Sequence, residues 1–205
     1  MYSAASHLCI IELGISSNIR IQTRGVRSIV KTFAELEAQD LQWVRAKTKW
    51  WKSASYQLQN TDGEVYAMIH REGWGSKVTV DATGNRWIFE RRHGFFKPTR
   101  IVITSVGTGE QPAEFIQRGN SGVLNYADGR VFNWKAFGLG MTKWMWTNAD
   151  QQAVLGIELK GFWQWRGEVR VNPEIAAEKA PPLLLFLSWY LILLAKQDAA
   201  AAAAT

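Results

Sequence analysis

One cysteine, Cys9, stands in the 205 residues, so no internal disulfide can form and the chain suits a reducing compartment. Three histidines (His7, His70, His93) make neither an H-x-x-x-H nor an H-E-x-x-H pattern, and one thiolate cannot build a zinc site. Nothing calls for a metal or another cofactor. GTGE at 107–110 lacks the third glycine of a dinucleotide loop, and GNSG at 119–122 lacks the spacing of a nucleophile elbow. His93, beside Arg91 and Arg92, reads as a solvated loop histidine. With no catalytic constellation, the chain reads as non-enzymatic. Its start has no Lys or Arg before Arg20, and its apolar run (Leu8–Ile11) is four residues, which is not a signal peptide. No N-x-Ser/Thr sequon is present either. A cytoplasmic protein is expected.

What is abundant is aromatic and basic. Eleven tryptophans are many for this length, and large rings of that kind fill cores or rim binding surfaces. An apolar fraction of 47% against 20% charged residues belongs to a folded globular chain with one substantial core. The net charge of +6 favours anionic partners: phospholipid surfaces, nucleic acid or acidic proteins.

Residues 1–40 read as an extension, with Ile29, Phe33, Leu36 and Leu41 at roughly helical spacing. From Trp43 the texture changes to short runs rich in Val, Ile, Trp, Phe, Tyr and Thr. Turn signals punctuate them regularly: NTDGE at 60–64, DATGN at 81–85, GTGE at 107–110, YADGR at 126–130 and TNADQQ at 147–152. Several runs alternate as half-buried strands do. Trp87 shares a face with Phe89, Phe132 with Trp134, Trp144 with Trp146, and Leu155 with Ile157 and Leu159. Ten to twelve strands fit between residues 43 and 172. An internal echo is also present, Leu58-x-x-x-Asp62-Gly63-x-Val65-Tyr66 against Leu124-x-x-x-Asp128-Gly129-x-Val131-Phe132, at an offset of 66. It is compatible with a duplicated half-barrel, or with two similar Asp-Gly hairpins.

The most apolar segment, PPLLLFLSWYLILLA (181–195), comes near the C-terminus, with Ser188 its one strongly polar residue after the prolines. A helix over 181–196 is expected, followed by a frayed low-complexity tail at 198–205. The thirteen residues Leu183–Ala195 span about 20 Å as a helix, short of a hydrocarbon core of about 30 Å. A helix apolar all round but too short to span belongs inside a protein. A closed sheet of ten to twelve strands is wide enough to hold it. The expected fold is therefore all-β with one central helix. It is a closed antiparallel meander barrel of about twelve strands over 41–197, around a buried hydrophobic C-terminal helix. Insertion of 181–195 in a membrane is the alternative.

That order of elements resembles the tubby superfamily, which takes in the LURP-one-related proteins and the phospholipid scramblases. The likeness is closest to bacterial tubby-like proteins. It rests on GNRWIFERRHGFFKPTRIVI (84–103), GVLNYADGRVFNWK (122–135), KWMWTNADQQAVLGIEL (143–159) and the apolar C-terminal segment, and it covers 43–197. It implies phosphoinositide headgroup binding through basic residues on the barrel wall or, for the scramblase branch, movement of phospholipids. The plant and bacterial branches look like binding or regulatory modules. No family site residue is carried over, because the headgroup-binding pair does not align here.

Candidate site residues come from this chain's own charge pattern. Alternation places Arg45, Lys47 and Lys49 on one strand face. A second cluster, Arg91, Arg92, Lys97 and Arg100, surrounds a loop bearing Phe95 and Phe96. Basic residues flanking protruding aromatics suit an anionic bilayer, so an anionic phospholipid or membrane surface is the expected partner. The alternatives are an ordinary solvated face, a protein partner, or nucleic acid. The last is the weakest, for want of an RNA-binding signature.

Overall fold

A computed structural model describes residues 40–46, 54–71, 77–82, 85–94, 97–138, 141–160, 166–172 and 182–204. The expected N-terminal helix, Lys47, Lys49, Phe95, Phe96 and the side chain of Lys97 lie outside the described residues.

Period-two alternation produces twelve strands. They are β1 (Gln42–Arg45), β2 (Ser55–Gln59), β3 (Val65–Arg71), β4 (Lys77–Ala82), β5 (Asn85–Gly94) and β6 (Lys97–Ser105). Then follow β7 (Ala113–Arg118), β8 (Ser121–Tyr126), β9 (Val131–Phe137), β10 (Lys143–Thr147), β11 (Ala153–Lys160) and β12 (Arg166–Val171). Each strand pairs antiparallel with its neighbour in sequence, and β1 pairs β12 through Gln42 with Glu168 and Trp43 with Gly167. The sheet is thus a closed meander barrel with no free edge, as the sequence leads one to expect.

Cross-strand register carries one set of side chains inward all the way round. Trp43 faces Leu58, Tyr56 faces Ile69, Val78 faces Phe89, Phe115 faces Leu124, Trp134 faces Trp146 and Trp144 faces Ile157. These residues form one buried core together with the helix α1 (Leu183–Ala203). Every residue of α1 from Leu183 to Leu194 is buried. The helix therefore fills the barrel, and the rings interlock. Trp189 stacks on Trp43 (centroids 5.6 Å apart, planes 8° apart) and meets Tyr56 edge-on; Phe186 meets Trp87 and Tyr190 meets Phe89. Trp189 also lies against Gly167, where a Cβ would approach its ring to 2.5 Å, so only glycine leaves room.

The helix runs further than expected. It starts two residues later than Pro181 and continues through Asp198 and the alanines to Ala203, where a frayed tail was expected. Alanine has the best intrinsic helix propensity and extends an already nucleated helix readily. At 21 residues the helix is long and apolar enough to cross a membrane by length and composition alone. Shortness therefore no longer argues against insertion. Burial takes over that role: leaving the barrel would strip the core of twelve residues.

Ser188 gives this apolar helix a fixed rotation. Its Oγ accepts a hydrogen bond from Trp146 Nε1 (2.7 Å) and donates to the Leu184 carbonyl one turn earlier.

The sequence echo maps the β2–β3 hairpin onto β8–β9, six strands on and so across the barrel. The two turns close alike: Asn60 N–H donates to Glu64 O and Gly63 N–H to Asn60 O, matched by Tyr126 to Arg130 and Gly129 to Tyr126. Asn148–Gln152 closes a third turn with the same pair of bonds. Its left-handed position is taken by Gln151 (φ 62°), where the other two carry Gly63 (φ 82°) and Gly129 (φ 89°).

Candidate functional site

The inward register does not stop at apolar residues. At one end of the barrel it continues into three arginines: Arg45 and Arg71 end β1 and β3, and Arg91 stands three residues before the end of β5. Arg45 is opposite the buried Tyr56, Arg71 opposite the buried Val78, and Arg91 opposite the buried Ile101. Directly opposed residues of an antiparallel pair share a face, so all three project inside the rim. Strands β1, β3 and β5 lie two places apart, about 9.5 Å along the wall, a gap that long guanidinium side chains narrow.

Two tyrosines link the arginines into an arc. Burial pushes the Tyr56 phenol up, while the charges of Arg45 and Arg71 pull it back. Burial likewise pushes the Tyr190 phenol up, with Arg91 and then Arg71 opposing and the charge of Glu90 adding to the rise. Arg71 is thus felt at both phenols, and the arc runs Arg45, Tyr56, Arg71, Tyr190, Arg91.

The emerging end of α1 supplies the rest. Arg71 Nη2 donates to Gln197 Oε1 (2.9 Å). The two terminal nitrogens of Arg91 donate to the two oxygens of Asp198, at 2.8 Å each. The Arg91 side chain is only 13% exposed against 46% for Asp198. Its Nε is buried and, among the described residues, has no acceptor. Lys196, half-buried on the same turn, has its pKa lowered by desolvation. Among the described residues, four cations therefore gather at this mouth, and Asp198 pairs with one of them. Such a concentration of guanidinium groups, positioned by strands, with Arg71 and Arg91 partly withdrawn from water and Arg45 exposed, is suited to an oxyanion.

Of the expected cations, the structure describes the side chains of Arg45, Arg91, Arg92 and Arg100. Arg91 and Arg92 were expected to flank a loop together; instead β5 continues to Gly94, so the two side chains take opposite faces. Arg91 lines the mouth. Arg92 stands on the outer wall directly opposite Arg100, and each has its own carboxylate, Glu90 for Arg92 (2.8 Å) and Glu114 for Arg100 (3.3 Å). Of the stripe expected on one strand face, Arg45 ends β1 on the inner side and is exposed at the rim, while Lys47 and Lys49 lie outside the described residues. The outer wall pairs its charges elsewhere too. Glu158 takes Lys143, Lys160 and Arg170, and Asp128 takes Arg130.

Register also builds a chain on the outer wall that no local motif announced. Ser55 Oγ lies 3.2 Å from His70 Nδ1, His70 Nε2 lies 3.6 Å from Asp81 Oδ2, and Asp81 bonds Arg86. With the His70 proton on Nε2, Ser55 donates to Nδ1. The order is that of a nucleophilic triad, but Ser55 is only 8% exposed. A substrate has little access to its oxygen, and the chain reads as a cross-strand polar tie. Its members lie 11 to 15 residues apart for the first three, on separate strands, so only pairing reveals them.

Comparison with protein-family models, with curated proteins and with solved structures returned no match.

Proposed function

We propose that this chain is a tubby-like, non-enzymatic binding module that takes an anionic phospholipid headgroup at the arginine-lined mouth of its barrel. The observation that carries the reading is the convergence of Arg45, Arg71 and Arg91 on the inner rim. The outer-wall cations Arg92 and Arg100 each have a neighbouring carboxylate, whereas of the three rim arginines Arg91 alone is ion-paired among the described residues. A headgroup phosphate offers several oxygens to guanidinium donors already held in place, at little cost in side-chain ordering. The protein would act in the cytoplasm and sit peripherally, its mouth toward the bilayer.

Burial of Leu183–Leu194 supports α1 as the barrel's plug and does not favour the scramblase-like alternative. Re-exposing each large side chain would cost about 1.5–3 kcal/mol, to be recovered only if the whole helix entered lipid.

Vesicle co-sedimentation tests the proposal. Recovery should rise when phosphatidylinositol 4-phosphate is added to phosphatidylcholine vesicles and fall with salt. Arg45→Gln with Arg71→Gln should abolish the gain, whereas Arg92→Gln with Arg100→Gln should leave most of it. Equal recovery on neutral and anionic vesicles, with the protein folded, overturns it.

A further inference from the structure

We infer that Asp198 is an internal occupant of the anion site, which an incoming phosphate displaces, freeing the end of α1. This rests on the anion-binding reading above and adds regulation to it. Paired N–H···O bonds of 2.8 Å from Arg91 to both Asp198 oxygens are the fork-on-fork geometry that arginine offers equally to carboxylate and phosphate. The contact spans 107 residues of sequence, and Arg71 to Gln197 spans 126. Beyond Leu194 the helix leaves the core, and residues 197 to 204 are exposed. The arginines an anion needs are thus the ones that hold this exposed helix end against the rim.

The pairing is asymmetric in a way that favours exchange. Asp198 is nearly half exposed and regains water easily, whereas Arg91 is mostly withdrawn from water and needs a counter-charge. Simple opening is therefore costly, and replacement is not. The carboxylate also leaves a donor over, since it has two oxygens and the buried Arg91 Nε has no acceptor among the described residues. A tetrahedral phosphate has a further oxygen to meet it. Phosphate should accordingly displace Asp198 where a simple carboxylate such as acetate does not. Once released, the exposed residues 197–203 keep no apolar burial to hold them in helix, so their order should fall as the anion binds.

Calorimetric titration of the full chain with inorganic phosphate, inositol 1,4-bisphosphate and acetate gives the test. Vesicles of phosphatidylcholine with and without phosphatidylinositol 4-phosphate separate a free phosphate from a lipid headgroup as its source. Asp198→Asn keeps the shape but removes the charge, and should bind phosphate and anionic vesicles about tenfold more tightly than the native chain, within the usual range of coupling between sites. Arg91→Lys should bind more weakly in both backgrounds. Hydrogen exchange across 196–203 should quicken when phosphate is added to the native chain. Binding by the Asp198→Asn variant alone would mean that Asp198 blocks the site without being displaced, and overturns the inference. Native-like affinity in that variant, with its exchange at 196–203 unchanged by phosphate, overturns the inference and leaves headgroup binding intact. Absence of binding by both folded proteins overturns headgroup binding and the inference with it.

Discussion

Removing one oxygen from the centre of the barrel should weaken the whole fold. In Ser188→Ala the Trp146 indole N–H loses its acceptor, 2.7 Å away in the native core. Orphaning a buried donor costs about 1–3 kcal/mol. Alanine is the better helix former by up to about 0.7 kcal/mol, which offsets part of that. A net loss of about 1–2 kcal/mol is expected. For a chain of this size that lowers Tm by about 2–8 °C. The double variant Trp146→Phe/Ser188→Ala separates the hydrogen bond from packing, because neither partner is then left unpaired. Urea unfolding followed by circular dichroism should give a coupling of about 1–2 kcal/mol between the two sites. A Ser188→Ala protein as stable as the native chain, or a coupling near zero, would refute the assigned role of Ser188 in seating the helix.

Two further predictions concern the wall. Gln151→Gly should raise stability by about 0.5–1 kcal/mol, since the left-handed backbone that Gln151 adopts costs a side-chain-bearing residue about 1–2 kcal/mol, less the extra chain entropy of glycine; a lower Tm argues against the strained turn. Desolvation alone would raise the pKa of Glu158, but Lys143, Lys160 and Arg170 together hold it below the ordinary value. A depressed carboxylate stabilises the fold above its unfolded pKa and stops doing so as pH falls through its folded one. The Tm gap between native and Glu158→Gln proteins should therefore close as pH drops from about 5 to about 3, and a gap that stays constant contradicts the cluster.

Most of the architecture was legible in the order of residues, and most of the site was not. Alternation in stretches such as Arg86–Arg92 and Lys143–Thr147 is a local property, and it assigned faces correctly because a strand's two faces differ by one position. All-round apolarity of Leu183–Leu194 identified a helix with no wet side, which the inside of a closed sheet accommodates. Length was misleading, since the alanines after Asp198 read as a tail yet prolong the helix.

The charges behave differently. Arg91 and Arg92 look equivalent in a basic cluster, and the parity set by Phe89 sends one inward and the other out. That parity was available, but it acquires meaning only when β5 is known to persist to Gly94. The sequence by itself determined the kinds of element, the inner face and the need for a plug, because each follows from local periodicity and hydrophobicity. Only the tertiary structure decided which arginines share a mouth and that Asp198 reaches Arg91. Barrel closure and the rise of the helix bring together residues more than a hundred positions apart, and no local pattern encodes that meeting.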